Sequence, residues 1–253
     1  MPWKLPEDDD ALLSLAKGYP YPAPDSSYLF VEGEARPIER GAVEPALFGG
    51  RTPVVGHGSN RSPQQLARKF GTTARIPVSR AWLADYDVVY SAHMTRYGAI
   101  AANLRHDPGT SVEVWIAWLD AEQLAFMHRT ELGAEIYRYG RLTEVELALE
   151  AGPAEEIEWA GVYLSTYGYL TRDAAAIPLA AVAARARCVP ALHQEQVLAL
   201  VRDRHRPGRN LEELLLAKIR DPARRRALID EMRARALPPH APHFDPIDVL
   251  EGT

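Results

Sequence analysis

The chain holds one cysteine, Cys188, in 253 residues, which excludes an intramolecular disulfide and any cysteine-rich zinc site. It also lacks a basic excess. Lys and Arg number 29 against 34 Asp and Glu, a net charge of −5, which argues against broad electrostatic attraction to nucleic acid or to a membrane surface. No apolar run approaches the roughly 20 residues that a bilayer-spanning helix requires. The first ten residues carry Asp8, Asp9 and Asp10, the opposite of the basic and then apolar start of a signal peptide. No internal repeat or low-complexity tract is visible. These absences lead to the expectation of a cytoplasmic protein with no nucleic-acid or membrane partner.

What is present is an ordinary globular composition, 47% hydrophobic and 25% charged, long enough for one large domain with extensions. Residues 1–51 read as a lead-in that packs on the core. Acidic residues at 8–10 open a short helix to Lys17, three prolines then impose an extended connector over 18–24, and a short strand follows at 27–31. Residues 33–52 read as loop with one helical turn. Residues 52–170 form the main domain. A strand at 54–56 is followed by a helix over 63–70, with Ser62 as N-cap, Pro63 at the first helical position and Gln65 three residues after the cap. Residues 74–90 predict one long bent strand or two. Strands at 99–104 and 112–119 are joined by the turn Asp107-Pro108-Gly109-Thr110, where Pro presets φ and Gly accepts a left-handed conformation. Asp120 caps a helix running to about Leu132, and strands follow at 136–149 and 156–165. Residues 171–253 turn helical, with segments near 193–204, 211–220 and 222–236; their basic excess reads as a solvated helix surface. Strands before Gly168 and long helices after it give an α+β class.

Two stretches carry chemistry. In Pro53-Val54-Val55-Gly56-His57-Gly58-Ser59-Asn60, an apolar run ends in a Gly-rich turn ahead of a helix. Such a turn presents backbone N–H groups and a positive dipole end to an anion. Gly56 and Gly58 remove Cβ atoms that would hold a ligand away from the backbone. The stretch lacks the Lys and spacing of a P-loop and the flanking glycines of a nucleophile elbow. Residues two apart on an extended segment can share a face, so His57 with Ser59 stays open as a hydrolase pair. The second stretch is the helix after Asp120. Leu124, Met127 and Glu131 lie on one face, at spacings of three and four. A glutamate ending an apolar stripe sits either at its margin, reaching solvent, or buried. If buried, its proton affinity rises toward the range of a general base. Two weaker clusters read as structural: His240, His243 and Asp245 in a Pro-rich tail, and Cys188 with His193.

Val55-Gly56-His57-Gly58-Ser59-Asn60 resembles the Tyr-Gly-Ser-Asn signature of γ-glutamylcyclotransferase-like proteins. Asn103-Leu104-Arg105-His106-Asp107-Pro108-Gly109 and Val112-Glu113-Val114-Trp115-Ile116-Ala117-Trp118 look like that family's central hairpin. Asp120-Ala121-Glu122-Gln123-Leu124-Ala125-Phe126-Met127-His128-Arg129-Thr130-Glu131 is similar to the helix that ends in its catalytic glutamate. The resemblance spans roughly Val54 to Tyr169. It implies a small mixed β-barrel flanked by helices, and release of 5-oxoproline from a γ-glutamyl peptide or amine without metal or organic cofactor. Glu131 would be the general base. Gly56, His57, Gly58, Ser59 and Asn60 would hold the small-molecule substrate, with Tyr137 and Tyr163 completing the pocket. The chain departs from the family at His57, where tyrosine is usual, at His128, where aspartate is common, and at Leu132, which takes the place of a glycine found here as Gly133. These departures imply either a larger or unusual γ-glutamyl compound, or a non-catalytic binding or scaffold protein on the same fold. Oligomeric state, monomer or homodimer, is not written in the sequence.

Overall fold

The computed structural model describes residues 3–39, 44–132 and 136–249. Helix α1 (Asp9–Lys17) leads into strands β1 (Tyr28–Val31) and β2 (Glu34–Pro37). The central part is β3 (Thr52–Gly56), α2 (Pro63–Phe70), β4 (Ile76–Met94), β5 (Ile100–Leu119), α3 (Ala121–Leu132), β6 (Tyr137–Leu149) and β7 (Glu156–Ser165). Short strands β8 (Thr171–Arg172), β9 (Ala175–Ala176) and β10 (Ala184–Arg185) follow. Helices α4 (Gln194–His205), α5 (Leu211–Arg220) and α6 (Pro222–Arg233) and the strand β11 (Phe244–Pro246) complete the chain. The class is α+β.

Five strands close on themselves in the order β5-β3-β7-β6-β4 and back to β5. Only β3 and β7 run parallel; the other four pairings are antiparallel, so the barrel is mixed. Both faces of its strands are covered. Along β5, Val114, Ile116 and Trp118 enter one apolar cluster, while Trp115, Ala117 and Leu119 enter a second, as the two-residue period of a strand requires. β3 divides the same way, with Val54 in one cluster and Val55 in the other. The ends of the chain add to this frame: β1 pairs with β4, β10 with β5 and β11 with β6.

The long-strand reading of residues 74–90 matches β4, but the expected hairpin turn at 107–110 is absent. Ala84 pairs with Ser111 and Tyr86 with His106, so residues 107–110 lie opposite Asp85 alone. Turn chemistry is spent on a bulge: Gly109 N–H donates to Asp85 Oδ1 at 2.7 Å, and Thr110 Oγ1 donates to Asp107 Oδ2 at 2.7 Å. A bulge absorbs extra residues without ending the strand. The reversal between β4 and β5 comes at residues 95–98, where Gly98 N–H donates to Thr95 O at 3.0 Å. Ser62 does precede α2, but its hydroxyl makes no cap bond and is buried without a partner, so the expected capping box does not form.

After β7, the connection to α4 is strand-like rather than helical, and a buried ion pair pins it to the barrel. Arg187 donates to Asp87 through Nε at 2.8 Å and Nη2 at 2.6 Å, and Asp87 is 1% exposed. Removing one partner strands a buried charge. Arg187→Ala is expected to cost about 3–5 kcal/mol, read as a loss in chemical-denaturation midpoint, with Asp87→Asn in the Arg187→Ala background restoring part of it.

Candidate active site

β3 ends at Gly56, and the chain turns at once through His57 and Gly58 into a single 3-10 turn, Ser59–Arg61. The turn is anchored beneath. Tyr28 Oη donates to Arg61 O at 2.9 Å, and Arg61 Nη2 donates to Ala181 O at 2.8 Å. The buried Arg61 guanidinium also lies 3.7 Å from Glu113, which Arg80 holds from its other side at 2.6 Å. The backbone N–H groups of Ser59 and Asn60 meet no acceptor among the described residues.

The two glycines do a different job from the one expected. A Cβ on Gly58 would lie 2.4 Å from Tyr19 Oη, and one on Gly56 would lie 3.2 Å from both Asn60 C and Trp115 O. Their missing side chains admit Tyr19 and the turn's own backbone, not a ligand. Tyr19 Oη in turn accepts from Ala102 N–H at 2.8 Å.

This turn forms one wall of a cavity of about 750 Å³. Of the residues expected in the site, His57, Gly58, Ser59, Asn60, Glu131, Tyr137 and Tyr163 line it, and Gly56 lies behind it. Glu131 comes from the last turn of α3, above the buried Met127. Its Oε1 accepts from Asn60 Nδ2 at 3.0 Å and from Lys69 Nζ. Lys69 belongs to the last turn of α2, and its side chain is 12% exposed against 16% for Glu131. α2 and α3 meet at this end, with the Phe70 and Phe126 rings 5.5 Å apart.

Burial alone would push the Glu131 carboxyl up, as expected for a base. The Lys69 ammonium, the bonds from Lys69 and Asn60, and the neighbouring His57 together outweigh it and hold the carboxyl below its ordinary value. The expected rise in proton affinity therefore does not occur, because a cation 62 positions away in sequence packs against the carboxylate.

His57 is 8% exposed, and its Nδ1 has no partner. Burial, opposed by its contact with the Ala102 backbone and by Glu131, lowers its pKa to about 4. With Nδ1 unpartnered, and with no hydrogen bond between His57 and Ser59 among the described residues, the two do not form a nucleophile and base. Tyr137 Oη stands 3.5 Å from His93 Nδ1, and burial with Arg225 takes His93 to about 4. Tyr163 Oη lies 2.7 Å from His128 Nδ1, so the histidine at the position of the usual aspartate ties up that hydroxyl. Lys69, His93, Tyr19 and Tyr97 escape sequence reasoning; each lies on a different element, and only the closed barrel brings them together.

The weaker clusters have structural partners. His193 N–H donates to Gln196 Oε1 at 2.8 Å at the start of α4, and Asp245 accepts from Thr143 Oγ1 at 3.0 Å. Among the described residues no group of three His, Cys, Asp or Glu is arranged to hold a metal ion, and no helix is long and apolar enough to cross a membrane.

No protein-family model matches the chain, and no curated protein matches it in sequence. Solved structures similar to it include a gamma-glutamyl cyclotransferase, at 16% identity and a TM-score of 0.38 over 66% of this chain and 87% of the other. An uncharacterized protein from Homo sapiens is similar at 17% identity and a TM-score of 0.36, over 66% of this chain and 88% of the other. YkqA from Bacillus subtilis is similar at 17% identity and a TM-score of 0.34, with 75% of this chain and 56% of that one covered.

Two outcomes follow from the geometry. Gly58→Ala should lower stability by about 1–3 kcal/mol through overpacking against Tyr19, and Tyr19→Phe in the same chain should recover part of it in thermal melts. His57 and His93 have folded pKa values near 4 against an ordinary 6.5. The unfolded chain therefore binds more protons between those values, and stability is full above pH 6.5 and lost as pH falls toward 4. His93→Gln should flatten that slope in denaturation midpoints measured across the window.

Proposed function

We propose that the chain is a γ-glutamyl cyclotransferase-type enzyme that releases 5-oxoproline and an amine from a γ-glutamyl amide, with Glu131 as general base. The observation that carries this reading is the carboxylate of Glu131, held ionised and oriented by Asn60 in a cavity walled by the 57–60 turn. The sequence resemblance across Val54 to Tyr169 supports it.

In this reading the α-ammonium of the glutamyl group gives a proton to Glu131. The freed amine attacks the γ-carbonyl carbon, and the carbonyl oxygen becomes an oxyanion facing the N–H groups of Ser59 and Asn60. The bond from that carbon to the leaving nitrogen then breaks as Glu131 gives its proton to that nitrogen. The second proton of the new ring nitrogen passes by way of the Glu131 carboxylate to the departing amine, which leaves as an ammonium beside a neutral lactam. No water is consumed. The step is intramolecular, so positioning and one base suffice.

A carboxylate of depressed pKa is a weak base, and Lys69 answers that objection from the other side. An ammonium brought beside Lys69 in a dry cavity loses its proton more readily, since like charge and desolvation both disfavour its charged form. Lys69 thus keeps the base ionised and makes the substrate a stronger acid. The same pairing supports a second reading, a non-catalytic binding module in which Lys69 has permanently neutralised Glu131.

Mass-spectrometric detection of 5-oxoproline across γ-glutamyl amino acids, peptides and amines separates the two. Glu131→Gln should lower turnover by about 10²- to 10⁴-fold while circular dichroism shows the chain still folded. Lys69→Met should shift the acid limb of kcat/KM to higher pH, because burial of Glu131 is then opposed only by Asn60 and His57. Unchanged turnover in Glu131→Gln, or no turnover of any compound by the native chain, would sink the enzyme reading.

A further inference from the structure

The cavity is strongly cationic in a chain that is acidic overall. Arg68, Lys69, Arg96 and Arg129 line it against the single carboxylate of Glu131 among the described lining residues. Lys69 is committed to Glu131. The three arginines come from α2, from the reversal between β4 and β5, and from α3. None of them has a carboxylate partner within salt-bridge distance among the described residues.

Aromatic rings set their places instead. Arg68 Cζ stands 5.1 Å from the Trp3 ring centre and 4.6 Å from that of Tyr21, Arg96 Cζ 5.2 Å from Trp3, and Arg129 Cζ 5.4 Å from Phe126. Arg68 Nη1 also donates to Gln65 Oε1 at 3.4 Å and Arg96 Nη2 to Trp3 O. Stacking and one such bond hold each of these two guanidinium groups in direction and leave its other N–H groups for an anion. Arg96 and Arg129 are exposed and Arg68 half-buried, which puts this charge at the mouth, outward of Glu131. Three uncompensated guanidinium groups converging from three elements repel one another, and an anionic ligand relieves that repulsion.

We infer that the mouth selects a γ-glutamyl compound whose leaving amine carries two or more carboxylates, the simplest being γ-glutamyl-glutamate, over amines with one carboxylate or none. This rests on the cyclotransferase reading for the glutamyl end and adds the chemistry of the other end. Arg68, Arg96 and Arg129 are then specificity residues that bind the departing half. Carboxylates there are met bidentately, which a lysine at the same place would not do.

The test compares γ-glutamyl-glutamate, γ-glutamyl-alanine and γ-glutamyl-ethylamine on the native chain, Arg129→Gln and Arg68→Gln. Two readouts are taken, 5-oxoproline release and calorimetric binding to Glu131→Gln, with melting temperature as a fold control. Native kcat/KM is expected to fall about tenfold with each carboxylate removed. Each arginine variant should lower it about tenfold for γ-glutamyl-glutamate, mostly through KM, and leave γ-glutamyl-ethylamine nearly unchanged. Added salt should weaken the acidic compound alone. Turnover equal for all three compounds would overturn this inference and leave the cyclotransferase reading standing. No turnover, but tighter binding of γ-glutamyl-glutamate that either arginine variant abolishes, would overturn the enzyme reading and support the acidic ligand. No turnover and no difference in binding would end both.

Discussion

Closure of the barrel depends on five residues. β3 (Thr52–Gly56) lies between β5 and β7, antiparallel to one and parallel to the other, and without it those two strands have no neighbour through which to complete the ring. Its side chains are divided between the two apolar clusters, so both faces resist a slip in register. That fixes where the strand ends, and hence where the turn at 57–61 begins. Arg61, gripped by Glu113 and by the Ala181 carbonyl, then fixes the direction the turn takes. The wall of the cavity is rigid because it continues a strand that the barrel cannot release.

Against this rigid wall the two short helices bring opposite charges. Lys69 and Glu131 each end an amphipathic helix, and each is mostly withdrawn from water. A buried pair of this kind contributes little net stability, since desolvation of both charges offsets their attraction. Its consequence lies in the charge state of the cavity. The carboxylate is kept ionised, its Oε1 is shared with Asn60, and the Asn60 Oδ1 is left buried without a donor. A half-satisfied amide beside a paired carboxylate is a costly arrangement for a protein core and a reasonable one for a site that completes itself on a ligand.

Most of the frame was legible in the sequence because its signals are local. The start signals at 62–65, the apolar spacing and Asp120 cap of 121–132, the acidic start at 8–10, and the strand-rich runs each depend on residues near one another. The error at Asp107-Pro108-Gly109-Thr110 came from a true turn signal whose outcome was decided elsewhere. Residues 105–106 and 111–112 keep the same partner strand, so the turn became a bulge. The candidate site divides in the same way. Glu131 and the 57–60 loop stand out by spacing and composition, whereas Lys69, Arg68, Arg96 and His93 acquire meaning only from packing. The pKa of Glu131 is not legible for the same reason, since desolvation follows from burial on an apolar stripe but its opposition by Lys69 does not. What fills the space beside the glycines of the loop is not legible, because nothing local reveals that Tyr19 lies against Gly58.

The histidines complete the electrostatic picture. His57 replaces the tyrosine that the resemblance leads one to expect, and an ionisable ring in the wall of a cavity suggests a pH switch. Its burial argues otherwise: with His57 and His93 both near 4, neither takes a proton at neutral pH, and Glu131 stays ionised because its pKa is depressed. The arginines carry their charge throughout. The cavity's charge is thus constant across the neutral range, set by fixed guanidinium groups and not by titration. On the proposed reading such a cavity discriminates by the charge of what enters it, and the imidazole of His57, neutral in this range, packs beside Glu131 without adding charge.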